Sequence, residues 1–157
     1  MFEIEEIKDA VEAIRGVTKI SVDGKTISFY YGESFTLLKI AEKDSMTSSK
    51  MEVTNSFKSP IDLTQADKSG EAVAEHVNLI TDTPCKVVFV KIKNSNGAFI
   101  VRNMFTDKLD DFSDDNKGTN LRKSNLKILI LAMMLENYAC YKELATELEK
   151  GFGEALK

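Results

Sequence analysis

Cys85–Ile92 (CKVVFVKI), Asn94–Gly97 (NSNG) and Ala98–Phe105 (AFIVRNMF) decide how this chain is read. Two apolar runs of strand length flank a loop that ends in Asn-Gly, the signature of an antiparallel hairpin. The first run is apolar on both faces except at Lys86 and Lys91, which predicts a central strand covered on two sides. An amphipathic helix precedes the hairpin, with Ala72, Val73, His76, Val77 and Ile80 as its apolar face. A long helix follows from about Ser124 to Leu148.

Toward the N-terminus, Phe2–Arg15 places Ile4, Ile7, Val11 and Ile14 on one helical face, and Gly16 ends the pattern. Thr18–Val22, Thr26–Tyr31 and Phe35–Ala41 then alternate at strand period. Turns at Asp23-Gly24 and Gly32-Glu33 join them into a three-stranded meander. After the polar loop Lys43–Ser49, Lys50–Phe57 alternates again and reads as a fourth strand, whose pairing the pattern leaves open. Lys58–Gly70 is irregular. Toward the C-terminus, Thr106–Asn120 is polar and acidic. In Leu126–Leu135 only Lys127 is not apolar, and beyond Glu136 the inner face is expected at Tyr138, Tyr141, Leu144, Leu148 and Phe152.

With 157 residues, 43% hydrophobic and 29% charged, the chain is expected to fold as one globular domain over residues 1–157. Such a chain buries roughly 70% of the surface its unfolded form exposes. The net charge of −4, from 21 basic and 25 acidic residues, argues against nucleic acid as a main partner. The longest apolar run is far short of the roughly 20 residues that cross a bilayer, so no membrane partner is expected. The start, Met1 to Glu6, is acidic and lacks the plan of a signal peptide. Cys85 and Cys140 sit in apolar surroundings without metal-type spacing. Together these features predict a cytoplasmic protein with two buried free thiols.

The chain carries no signature of a reaction. His76 is the only histidine and falls on the apolar face of its helix, as a satisfied interior histidine would. One histidine and two distant cysteines are too few ligands for a zinc site. The acidic stretch Asp107, Asp110, Asp111, Asp114, Asp115 fails as an EF-hand loop. With Asp111 at position one, Asn116 replaces the required glycine and Arg122 the bidentate glutamate. Single glycines at turns make no phosphate-cradling loop, and no serine sits in a nucleophile elbow. No catalytic residue, cofactor or metal is expected.

A helix apolar all round, as at Leu126–Leu135, is uncomfortable on a surface. Either it is a central helix wrapped by the first helix and the sheet, or one side meets a partner or a second copy. The residues expected at such an interface are Ile130, Met133, Met134 and Tyr138.

The pattern Ala74-Glu75-His76-Val77-Asn78, followed by Leu79-Ile80-Thr81-Asp82-Thr83-Pro84, resembles the "VN" helix end of the YbjN-like proteins. These are bacterial proteins described as sensory-transduction regulators, which share a fold with the type III secretion chaperones. The matching pieces are Glu71–Asn78, Val87–Ile92, Gly97–Val101 and the long helix ending near Leu148. The resemblance implies the order α-β-β-β-α-β-β-α. Asn78 itself suits the free backbone groups of a helix C-terminus.

The expected architecture is therefore α+β: an antiparallel sheet of about five strands with the first and last helices on one face. The expected role is non-catalytic: binding a protein or peptide segment as a chaperone-like or regulatory adaptor. The routes are a groove beside a helix or strand addition at a sheet edge, with homodimerisation through the last helix or an edge as a further possibility. One alternative is an immunity or antitoxin-type protein that meets a basic toxin through Asp107–Asp115. A third, enzymatic reading would use Cys85 or His76.

Overall fold

The computed structural model describes residues 3–41, 50–63, 69–81, 85–105 and 119–152. Helix α1 (Ile4–Glu12) opens with the Glu3 backbone N–H donating to the Glu6 carboxylate at 2.8 Å, which satisfies one of the free donors at a helix start. Gly16, at φ +94°, then turns the chain into β1 (Val17–Asp23). Strands β2 (Thr26–Tyr31), β3 (Ser34–Ala41) and β4 (Lys50–Lys58) precede α2 (Ser69–Ile80). The hairpin β5 (Lys86–Val90) and β6 (Ala98–Phe105) leads to α3 (Thr119–Phe152), a 34-residue helix about 50 Å long.

All six strands form one antiparallel sheet, in the order β1-β2-β3-β4-β6-β5. The sheet thus has six strands rather than about five. Lys50–Lys58 pairs along its length with both β3 and β6, which makes it the strand that joins the N-terminal meander to the later hairpin. The β1–β2 turn is one residue later than its sequence suggests. Asp23 pairs with Thr26, so Gly24 (φ +58°) and Lys25 form the loop.

The register sorts the strand residues into two faces. Ile27, Leu38 and Val53 lie in one row across the sheet, and Asn55, Val101 and Val87 in another. These residues are all buried, under the three helices. One hydrophobic cluster joins α1, the first half of α3 and β2–β4 around Phe29, Leu38, Val53 and Ile130. A second joins α2, the later half of α3 and the β5–β6 hairpin around Val77, Phe99, Leu144 and Leu148. Phe89 is held in the second cluster between two glycines. A Cβ on Gly70 would come within 2.3 Å of its ring, and one on Gly97 within 2.5 Å.

Strand β5 departs from expectation. It is an edge strand covered on one side only, with Val87 and Phe89 buried and Val88 55% exposed. Its apolar outer residues belong to the sheet's uncovered face. Both sheet edges are modified. At β5, the Asn78 side chain donates to the Val87 carbonyl at 2.9 Å and accepts from the Val87 N–H at 2.8 Å. Asn78 therefore serves a strand edge and not the end of its own helix. At β1, the register slips between Thr18 and Ser21, where Lys19 takes φ +54°.

Candidate functional site

A cleft of about 1020 Å³ opens between the turn after α1, the β2–β3 turn, β4 and α3. Its position follows from α3, which crosses the sheet beside β4 and continues past it toward α2. On the β4 side stands Phe57, whose ring stacks on Tyr141 of α3 at 4.1 Å and 7°. Tyr138, one turn earlier, lies 6.5 Å from Phe57 and is 49% exposed. Lys142 sits 5.5 Å over the Tyr138 ring. The opposite wall carries Tyr31, with Arg15, Glu33 and Lys58 also lining the space. Burial, then the neighbouring Tyr138, pushes the Tyr141 hydroxyl above its ordinary range, so the stacked pair stays uncharged at neutral pH.

Asn55 lines the same cleft and connects it to a polar seam in the interior. Asn137 of α3 donates to the Asn55 side-chain oxygen at 2.9 Å and to the Val53 carbonyl at 3.1 Å. Its own oxygen accepts from the Cys85 thiol at 3.3 Å. Asn55 donates onward to the Thr36 hydroxyl at 2.8 Å and the Ser34 hydroxyl at 3.2 Å. Asn137, Asn55, Thr36 and Cys85 are all buried. Along α3 the asparagine falls between Met134, in the first hydrophobic cluster, and Cys140, in the second. A buried chain of this kind fixes which helical face meets which strand, because any other register strands polar groups away from water.

The four expected interface residues separate. Ile130, Met133 and Met134 are buried in the first cluster, and only Tyr138 is exposed. Met134 and Tyr138 both line the cleft. The inward stripe of α3 runs Leu126, Ile130, Met133, Asn137, Cys140, Leu144, Leu148, so Tyr138 lies beside it and not in it. The sequence reading did not single out Asn137, although it stands four residues after Met133 and three before Cys140 on the buried stripe. Tyr141 is expected on the inner face of its helix and Phe57 in the fourth strand, but nothing in the sequence pairs them.

His76 is not interior. Its side chain is 54% exposed, and its Nε2 lies 3.2 Å from the Glu147 carboxylate, tying α2 to α3. Ala74 and Val77 are the buried residues of α2, which leaves His76 at its flank. Cys85 and Cys140 are both buried free thiols. Among the described residues no group of three or more His, Cys, Asp or Glu is placed to hold a metal. No helix among them is long and apolar enough to cross a membrane. The acidic stretch Asp107–Asp115 lies outside the described residues, and with it the calcium and toxin-binding readings. No protein-family model, curated protein or solved structure matches this chain.

Proposed function

We propose that this chain is a non-catalytic binding module that receives a segment of another protein in the cleft between β4 and α3, as an adaptor or chaperone does. The observation that carries this reading is the aromatic wall of half-buried Phe57 and Tyr141 and exposed Tyr138 beside a space of about 1020 Å³. Rigid aromatic rings at a cleft give large contact area at small entropic cost. The groove is favoured over strand addition because Asn78 already occupies the backbone groups of Val87 and a bulge bends β1. Arg15 and Lys58 at the rim suit a segment with an apolar or aromatic anchor flanked by a carboxylate. The resemblance to YbjN-like proteins and secretion chaperones points the same way, and the order it implies is met in this chain with β4 added before α2.

Peptides selected on the purified chain from a random display library test the reading. Met134→Glu is unsuitable as a probe because Met134 is buried. Tyr138→Ala truncates an exposed ring, so the fold should survive. It should weaken the selected peptides by about tenfold or more, the usual effect at an aromatic hot spot. Peptides that bind the variant as tightly as the parent chain would refute the cleft as the receiving site.

A further inference from the structure

The three helices cover one face of the sheet, and among the described residues nothing covers the other. That uncovered face is not an ordinary polar surface. Leu37 on β3 (37% exposed), Met104 on β6 (41%) and Val88 on β5 stand on it, with Phe35 and Ile100 half-buried between them. The register lines them up. Phe35, Ser56, Ile100 and Val88 form one row, and Leu37, Thr54, Arg102 and Lys86 the next. The central strand β4 contributes only Glu52, Thr54 and Ser56 to the middle of this face, so a shallow valley runs along it between two higher walls. The walls are two strand spacings apart, about 10 Å, which is about the width of an α-helix with its side chains.

Charge narrows the choice of occupant. Lys39 stands on one wall, Arg102 on the other and Lys86 beside it on β5, against a single carboxylate, Glu52, in the valley. None of the three cations is ion-paired among the described residues. The chain as a whole carries net charge −4, so this face runs against its average. A second copy laid on it across a two-fold axis would set these cations against themselves. Single-stranded nucleic acid needs stacking platforms. The aromatics here, Tyr30 and Phe35, are packed on each other at 5.3 Å, and Lys19 sits 5.4 Å over the Tyr30 ring.

We infer that the uncovered face is a second docking surface, shaped for an acidic amphipathic helix of another protein. The helix lies along β4 with its apolar stripe in the valley and its flanking carboxylates toward Lys39 on one side and Arg102 and Lys86 on the other. The seated helix turns a two-layer domain into a three-layer one. This surface lies on the opposite face of the sheet from the aromatic rings of the cleft, meets the cleft at Ser56, and does not depend on it.

A synthetic helical peptide with a leucine stripe, flanking glutamates and one tryptophan provides the test, because the chain has no tryptophan of its own. Its fluorescence reports binding, and amide chemical shifts of the protein report the place. Binding is expected to shift β3, β4 and β6, to weaken about tenfold in Arg102→Glu, and to fall steeply with added salt. The same peptide with glutamine for glutamate is expected to bind at least tenfold more weakly. Shifts confined to Phe57, Tyr138 and Tyr141 would place the peptide in the cleft and overturn the inference while leaving the cleft reading intact. It is equally overturned if oligothymidylate or vesicles of anionic lipid bind this face more tightly than the peptide. Absence of any shift, or self-association that Arg102→Glu relieves, counts against it too.

Discussion

Asn137 shows how much one side chain can fix. Its amide links the Cys85 thiol to the Asn55–Thr36 pair and also holds the Val53 carbonyl. Asn137→Ala removes the hydrogen bonds to the Asn55 oxygen, the Val53 carbonyl and the Cys85 thiol, and opens a small cavity between the two hydrophobic clusters. The expected cost is on the order of 2–4 kcal/mol, read as a lower urea midpoint with an unchanged slope. Loss below about 0.5 kcal/mol would mean that water replaces the amide and the seam specifies little. Asn78 is the other residue of this kind, since its side chain acts as one more backbone unit beside Val87. The sequence marks Asn78 as a residue suited to a helix C-terminus, yet its partner lies in the next strand, where local reasoning does not reach.

At the scale of elements, α2 is held to the rest of the molecule by contacts of very different strength. The stronger is steric. Gly70 lies against the face of Phe89, so Gly70→Ala, although favourable for a helix in isolation, forces the ring or the helix to move. A loss of about 1–3 kcal/mol is expected by thermal or urea unfolding, and a gain in stability would show that α2 is free to shift. The weaker contact is electrostatic and depends on pH. The Lys150 hydrogen bond first, and then the charges of Lys150 and His76, hold the Glu147 carboxyl below the usual carboxylate range. A carboxyl lowered in the folded state stabilises above its unfolded pKa, and that contribution disappears as pH falls through the lowered value. The parent chain should therefore exceed Glu147→Gln in melting temperature at neutral pH. The gap should close below the carboxylate range, and a gap that widens in acid would contradict the sign. α3 was legible as a helix from its apolar period. The later part of its buried stripe was legible too, at Leu144 and Leu148, but the earlier part was not, because Leu126–Leu135 is apolar on every side and offers no contrast from which to choose a face.

For the molecule as a whole, strand period and turn residues were enough to expect an α+β chain with helices at both ends and the two hairpin regions of its sheet. What they could not supply was the place of Lys50–Lys58, because pairing partners lie far away in sequence and alternation alone says nothing about neighbours. The same lack of long-range information made Cys85–Ile92 look like a central strand. Its outer residues are apolar for a different reason, as part of a broad face that no helix among the described residues covers. The aromatic cleft likewise draws on four separate parts of the chain, and only Met134 and Tyr138 among its lining residues were expected at an interface. Charge completes the division of the molecule. The exposed acids of α1, Glu3, Glu5, Asp9 and Glu12, lie on the helical side, opposite Lys39, Lys86 and Arg102. A sheet with an apolar outer face would ordinarily invite its own copies to add strands and grow without limit. Here an amide borrowed from α2 and one twisted residue in β1 make the ladder finite. Edge-to-edge growth toward a fibril is expected to be disfavoured by these two interruptions, and to become easier when Asn78 is replaced by alanine.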